Sequence, residues 1–147
     1  LMMEVLIKKL SDKAIIPKYK TKGASGLDVS ACINKTIELM PSQKILVPTG
    51  ISVSVPESYE IQIRPRSGLA VKNDISVLNS PGTIDSDYRG EIKVILFNHG
   101  KKMFKIENGL RIAQMVICPI IKAQIKVVDS LSETSRGEGG FGSTGVK

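Results

Sequence analysis

Short apolar or alternating runs, each cut off by a proline or glycine breaker, recur along almost the whole of this chain. That rhythm leaves no room for long amphipathic helices and points to an all-β barrel or sandwich. Candidate strands are residues 3–10, 27–31, 36–39, 44–47, 51–55, 59–64, 75–78, 91–97, 111–118 and 123–128. In Tyr59-Glu-Ile-Gln-Ile-Arg64 the alternation is strict, so one face should be wet. Val94-Ile-Leu-Phe97 is apolar throughout, which predicts a strand covered on both faces. Breakers fall at Pro41, Pro48-Thr-Gly50, Pro56, Pro81-Gly82, His99-Gly100, Asn108-Gly109 and Pro119. Residues 67–73 are the single candidate for a helical turn. From Ser130 onward only Leu131, Phe141 and Val146 are apolar, too few to pack a core. The expected organisation is therefore a β-barrel domain over 1–129 and a mobile, glycine-rich arm over 130–147. That arm is either disordered or laid across a ligand or a neighbouring subunit.

A length of 147 residues suits one domain with a core of its own. Leu1-Met2-Met3 reads as residues placed ahead of a natural start. No apolar run reaches membrane-span length and no signal-peptide hydrophobic region opens the chain, so the expected compartment is the cytoplasm. Cys32 and Cys118 sit in apolar stretches and read as buried free thiols. With a single His beside them they cannot build a zinc site. The formal charge of +7 suits nucleic acid or a small polyanionic substrate. Three Tyr, three Phe and no Trp are few rings for a single-strand binder, so the substrate reading is preferred and no stable nucleic-acid partner is expected.

The tail reads Arg136-Gly-Glu-Gly-Gly-Phe-Gly-Ser-Thr-Gly145. Glycine amides wrap phosphate oxygens, Arg136, Ser143 and Thr144 add donors, and Phe141 supplies one flat face for a base. The string matches G-x-G-x-x-G twice and nearly matches a Walker loop, but no helix follows to complete either motif. A flexible glycine-serine terminus is the plainer alternative.

Four further segments are over-specified for loops. Gly23-Ala-Ser-Gly-Leu-Asp28 sets a carboxylate after two glycines, or is an ordinary turn with a solvated Asp. Arg64-Pro-Arg66-Ser67-Gly68-Leu-Ala70 enters the helical turn and reads equally as an anion site or as a capped helix with surface arginines. Asn79-Ser-Pro-Gly82-Thr83-Ile84-Asp85-Ser-Asp87-Tyr88-Arg-Gly90 reads as a hairpin whose backbone could meet a base edge. Taken alone, Asp85 and Asp87 are turn formers and Tyr88 a packing residue. Arg111-Ile-Ala-Gln114-Met-Val116 buries an amide that takes either backbone partners or a ligand oxygen.

In this order, the five segments resemble the motifs of the trimeric dUTPase family from about Ser25 to Gly145. The resemblance implies a jelly-roll fold and a homotrimer whose active sites lie at subunit interfaces, each closed by a C-terminal arm. It implies hydrolysis of dUTP to dUMP and pyrophosphate with Mg²⁺. By similarity Asp85 is the general base for water attack at the α-phosphorus, and Tyr88 packs beneath the deoxyribose. Asn79 and the backbone of Gly82, Thr83 and Ile84 would read uracil. Arg66, Ser67, Gly68 and Gln114 would hold phosphate oxygens, with Lys93 at a variable contact position. In the arm, Phe141 would stack on uracil beside Gly142, while Arg136, Ser143 and Thr144 take the terminal phosphates. Asp28 is carried over as a Mg²⁺ partner acting through water. The pattern departs at Val29, Ser58 and Leu110. Leu110 stands where an acidic residue often precedes Arg111, so Arg111 is expected to lack its usual partner. A dCTP deaminase shares the fold, but Arg66-Ser67-Gly68 lacks the Arg-Ser-Ser segment such chemistry uses. A non-catalytic nucleotide sensor would have lost Asp85.

Overall fold

A computed structural model of the chain describes residues 3–147; Leu1 and Met2 lie outside the described residues. Among the described residues the order is β1 (Leu6–Lys9), β2 (Leu27–Ser30), β3 (Ile37–Leu39), β4 (Lys44–Pro48), β5 (Ile51–Ser54) and β6 (Tyr59–Arg64). There follow α1 (Ser67–Asn73), β7 (Ile75–Val77), β8 (Gly82–Ile84), β9 (Lys93–Asn98), β10 (Phe104–Ile106) and β11 (Arg111–Pro119). The strands form a four-stranded sheet β2-β11-β6-β8, a three-stranded sheet β4-β9-β7, and two ribbons, β1-β5 and β10-β3. All pairings are antiparallel. The architecture is an all-β sandwich, as the strand rhythm predicts, of the jelly-roll kind that the resemblance implies, with one short helix among the described residues.

Period-2 alternation decides which side chains enter the core. On β6, Ile61 and Ile63 are buried while Glu60, Gln62 and Arg64 face out. The outward side chains satisfy one another: Gln62 donates to Glu60 at 2.7 Å, and Arg64 Nη2 donates to Gln62 Oε1 at 2.7 Å. Both larger sheets feed one buried cluster, with Val29, Ile61, Ile63 and Met115 from the first and Val47, Ile75, Val94 and Leu96 from the second. Each fully buried aliphatic side chain contributes roughly 1.5–3 kcal/mol of transfer free energy.

Four expectations need correction. On β9, Val94 and Leu96 are buried but Ile95 and Phe97 are only half-buried, so within one chain the strand is covered on a single face. Residues 79–90 are not a simple hairpin, because β7 pairs with β9 while β8 pairs with β6. The segment crosses from one sheet to the other and adds β8 as an edge strand. Residues 123–128 form no strand: Ile121, Ile125 and Val127 are 96%, 83% and 92% exposed, with no strand among the described residues beside them. The packed body ends at Ile120, whose N–H donates to the Ser58 carbonyl at 2.9 Å. The two cysteines are free, as expected, yet half-buried rather than buried.

Candidate active site

Three groups of candidate residues occupy three places. The first is a cavity of about 440 Å³ lined by Leu46, Thr83, Ile84, Asp85, Tyr88, Glu91 and Lys93. It lies where β8 ends, and β8 is the outer strand of its sheet, so one backbone edge carries no strand partner among the described residues. Such an edge presents N–H and C=O groups in a row, a surface that can pair with a planar hydrogen-bonding partner. Gly82 is buried opposite Ile63, and the exposed Asn79 amide lies over it: a Cβ on Gly82 would stand 3.2 Å from Asn79 Nδ2. Asp85 is exposed, its carbonyl accepting the Tyr88 N–H at 3.1 Å. No ion pair among the described residues engages its carboxylate. Of the lining residues only Lys93, the first residue of β9, carries positive charge.

The second group gathers around Asp28, which lies on β2 at the other edge of the same sheet, three strand spacings from β8 or roughly 14 Å at the usual separation; Arg111 and Gln114 come from β11, and Arg66, Ser67 and Gly68 follow the end of β6. A bulge between Arg111 and Ala113 turns Ile112 and Ala113 both inward and leaves Arg111 and Gln114 facing out. Arg111 Nη1 then reaches Asp28 Oδ2 at 2.8 Å, and Arg66 Nε lies 3.3 Å from Asp28 Oδ1. Arg66 Nη1 also donates to the Arg111 carbonyl at 3.2 Å. Arg111 therefore has a partner after all, and Leu110 packs against the core instead of serving as one. Gln114 donates to the Pro65 carbonyl at 2.9 Å, and its Oε1 lies against the Cα of Gly26, where a Cβ would collide with it. A backbone carbonyl thus takes one N–H of the Gln114 amide. Arg66 stands at the N-cap of α1 without a side-chain cap bond, and Ser67 and Gly68 lie exposed in the first turn. The amides there have no intrahelical acceptor.

The third group is the arm. Arg136 Nε donates to the Gly139 carbonyl at 2.7 Å, and turns close at Gly140–Ser143 and Gly142–Gly145. Gly137, Phe141, Gly142 and Gly145 all have positive φ. Phe141, Ser143 and Thr144 are exposed, and no arm residue lines the Asp85 cavity.

Over residues 12–145 the chain matches the family model described as dUTPase. The chain belongs to the dUTPase family. The curated relatives include the deoxyuridine 5'-triphosphate nucleotidohydrolase of Crocosphaera subtropica, 58% identical over 98% of this chain and 100% of that protein. The corresponding protein of Hydrogenobaculum sp. is 56% identical over 99% of this chain and 100% of its own length. Among solved structures, a variant of the Staphylococcus bacteriophage 80alpha dUTPase with dUpNHpp superimposes with a TM-score of 0.87 at 29% identity, covering 97% of this chain and 99% of that one. As a member of the dUTPase family the chain is an enzyme, a hydrolase, and its jelly-roll sandwich is the family's fold.

Sequence reasoning passed over three residues at this candidate site. Leu46 and Glu91 line the cavity, and Gly90 lies beneath the Tyr88 ring. Glu91 carries its signal in a backbone carbonyl, which no residue type announces. Among the described residues no three His, Cys, Asp or Glu converge on a metal position. Hydrated Mg²⁺ needs no such cage, since one or two carboxylates and the substrate's phosphates suffice. The donor set fits a metal that arrives with nucleotide better than one the protein holds alone. No helix among the described residues is long and apolar enough to cross a membrane.

Proposed function

We propose that this chain hydrolyses dUTP to dUMP and pyrophosphate, with Mg²⁺, at sites shared between the copies of a homotrimer. The observation that carries the reading is the separation of the three groups. The cavity holding Asp85 offers one cation, Lys93, whereas a triphosphate needs several; Arg66 and Arg111 are drawn to Asp28 on the far edge strand and do not line that cavity, and no arm residue lines it either. A second copy supplying Arg66, Ser67, Gly68 and Gln114, and a third supplying the arm, would complete each site. The outward apolar residues favour association. Leu46 and Leu78 are 52% and 47% exposed beside the half-buried Ile95 and Phe97, and Ile121, Ile125 and Val127 project from a segment without a strand partner.

In this reading uracil lies along the open edge of β8, where Gly82, Thr83 and Ile84 present backbone groups and Asn79 adds its amide. Tyr88 packs beneath the deoxyribose and leaves no room for a 2′-hydroxyl. Asp85 accepts a proton from the water that attacks the α-phosphorus. Asp28 aligns Arg66 and Arg111 toward the phosphates and reaches the metal only through water, because its oxygens are committed to the two guanidinium groups. When bound, Mg²⁺ supplies charge neutralisation on the phosphate oxygens. Phe141 covers the base, Gly142 gives the arm its approach, and Arg136, Ser143 and Thr144 take the terminal phosphates. Closure of the arm would exclude all water but the attacking molecule.

The test is pyrophosphate release across dUTP, UTP, dCTP and dTTP, with and without Mg²⁺. The expected result is Mg²⁺-dependent release from dUTP far above the others. Ammonia release from dCTP would support a deaminase instead, and binding without release would support a sensor.

A further inference from the structure

Tyr88 is held on two sides by residues to which no part in the reaction has been given. Its hydroxyl donates to the Glu91 carbonyl at 3.0 Å. Its ring lies directly on the Cα of Gly90, where a Cβ would stand 2.5 Å from Cζ and 3.0 Å from Cε2. Carbon atoms do not approach so closely without displacement, so only glycine lets the ring fold back onto its own loop. Tyr88 is 44% exposed. A ring that open to solvent would otherwise sample several rotamers.

Glu91 is itself anchored. Its Oε2 accepts the Gly50 N–H at 2.9 Å, and the neighbouring Ile92 carbonyl accepts the Thr49 hydroxyl at 2.6 Å. Thr49 is buried, and Gly50 has a φ of 70° with Cys32 Sγ where a Cβ would go, so the β4–β5 turn is a fixed point. The chain of contacts runs from that turn, through the Glu91 carboxylate, to the carbonyl that holds Tyr88.

We propose that Gly90 and Glu91 are positioning residues for sugar selection. Gly90 leaves the space in which the ring lies, and Glu91 fixes the ring's hydroxyl end. The inference rests on the reading of Tyr88 as the wall beneath the deoxyribose. A 2′-hydroxyl adds one oxygen, so a wall rejects it only if held to about 0.5 Å; a ring free to swing would yield.

The test measures kcat/KM for dUTP and UTP in the full-length protein. Gly90→Ala and Glu91→Ala should each lower the dUTP/UTP ratio on the order of 10-fold, while Glu91→Gln, which keeps an acceptor for the Gly50 N–H, retains it. In a Tyr88→Ala background there is no ring to position, and Gly90→Ala should then change the ratio by less than about twofold. Should Gly90→Ala fail to fold, the Glu91 pair carries the test. An equal fall for both nucleotides, or an unchanged ratio in Gly90→Ala and Glu91→Ala while Tyr88→Ala abolishes it, overturns the proposal and leaves the Tyr88 reading intact. A wild-type protein that cleaves UTP as readily as dUTP contradicts the Tyr88 reading itself.

Discussion

Asp28 on β2 and Arg111 on β11 pair diagonally across adjacent strands, Oδ2 to Nη1 at 2.8 Å, and the same carboxylate holds Arg66 Nε at 3.3 Å. One acidic group thus fixes two cations that would otherwise repel. Asp28→Asn should loosen both and raise KM for dUTP, with kcat/KM falling on the order of 10-fold. Stability should change little, because part-exposed ion pairs contribute about 1 kcal/mol or less. Steady-state kinetics beside a melting curve separates the two effects. A large fall in melting temperature with unchanged KM would assign Asp28 a structural role.

Asp85 carries a different prediction. Asp85→Asn keeps the shape of the side chain but cannot take the proton of the attacking water. Turnover should fall about 10²-fold or more, with dUTP binding retained by calorimetry. Near-native turnover would remove Asp85 from the mechanism.

The strand pattern was legible where burial alone shapes it. Tyr59-Glu-Ile-Gln-Ile-Arg64 alternates cleanly, and β6 has those bounds. Strands β8 and β10 were not legible, because Gly82-Thr-Ile84 and Phe104-Lys-Ile106 are three residues long and owe their state to partners β6 and β3. Residues 123–128 present the converse case: their alternation predicts a strand, but periodicity cannot say on which chain the partner lies. At the site, residue types alone left Asp28, Arg66 and Asp85 open between site roles and ordinary turns or caps, and it was the order of the five segments that singled them out. The bulge that aims Arg111, the Cα surface of Gly90 and the Glu91 carbonyl are backbone features, invisible in a side-chain inventory.

Asn98 illustrates what else the sequence hid. It is fully buried, donates to the carbonyls of Leu39 at 2.9 Å and Lys102 at 2.8 Å, and accepts the Gly100 N–H at 2.8 Å. Asn98→Ala strands these backbone groups and should cost about 1–3 kcal/mol or more. Chemical denaturation reads this directly, and an unchanged midpoint would contradict it.

The exposed apolar side chains after Pro119 predict an assembly defect. Ile125→Asp with Val127→Asp should weaken association, shifting sedimentation from trimer toward smaller species, while the sandwich keeps its β-rich circular dichroism. An unaltered trimer would show that this segment takes no part in assembly.

The proposed sharing of a site between copies is tested most directly by complementation. One chain carries Asp85→Asn with its arm intact; the other keeps Asp85 but ends before Arg136. Each alone should form inactive or nearly inactive trimers. Mixed trimers, verified by two affinity tags, should recover dUTP hydrolysis, because an arm from one copy can close over Asp85 of another. Mixed trimers as inactive as the parents would mean that each site uses its own arm, and would contradict the account.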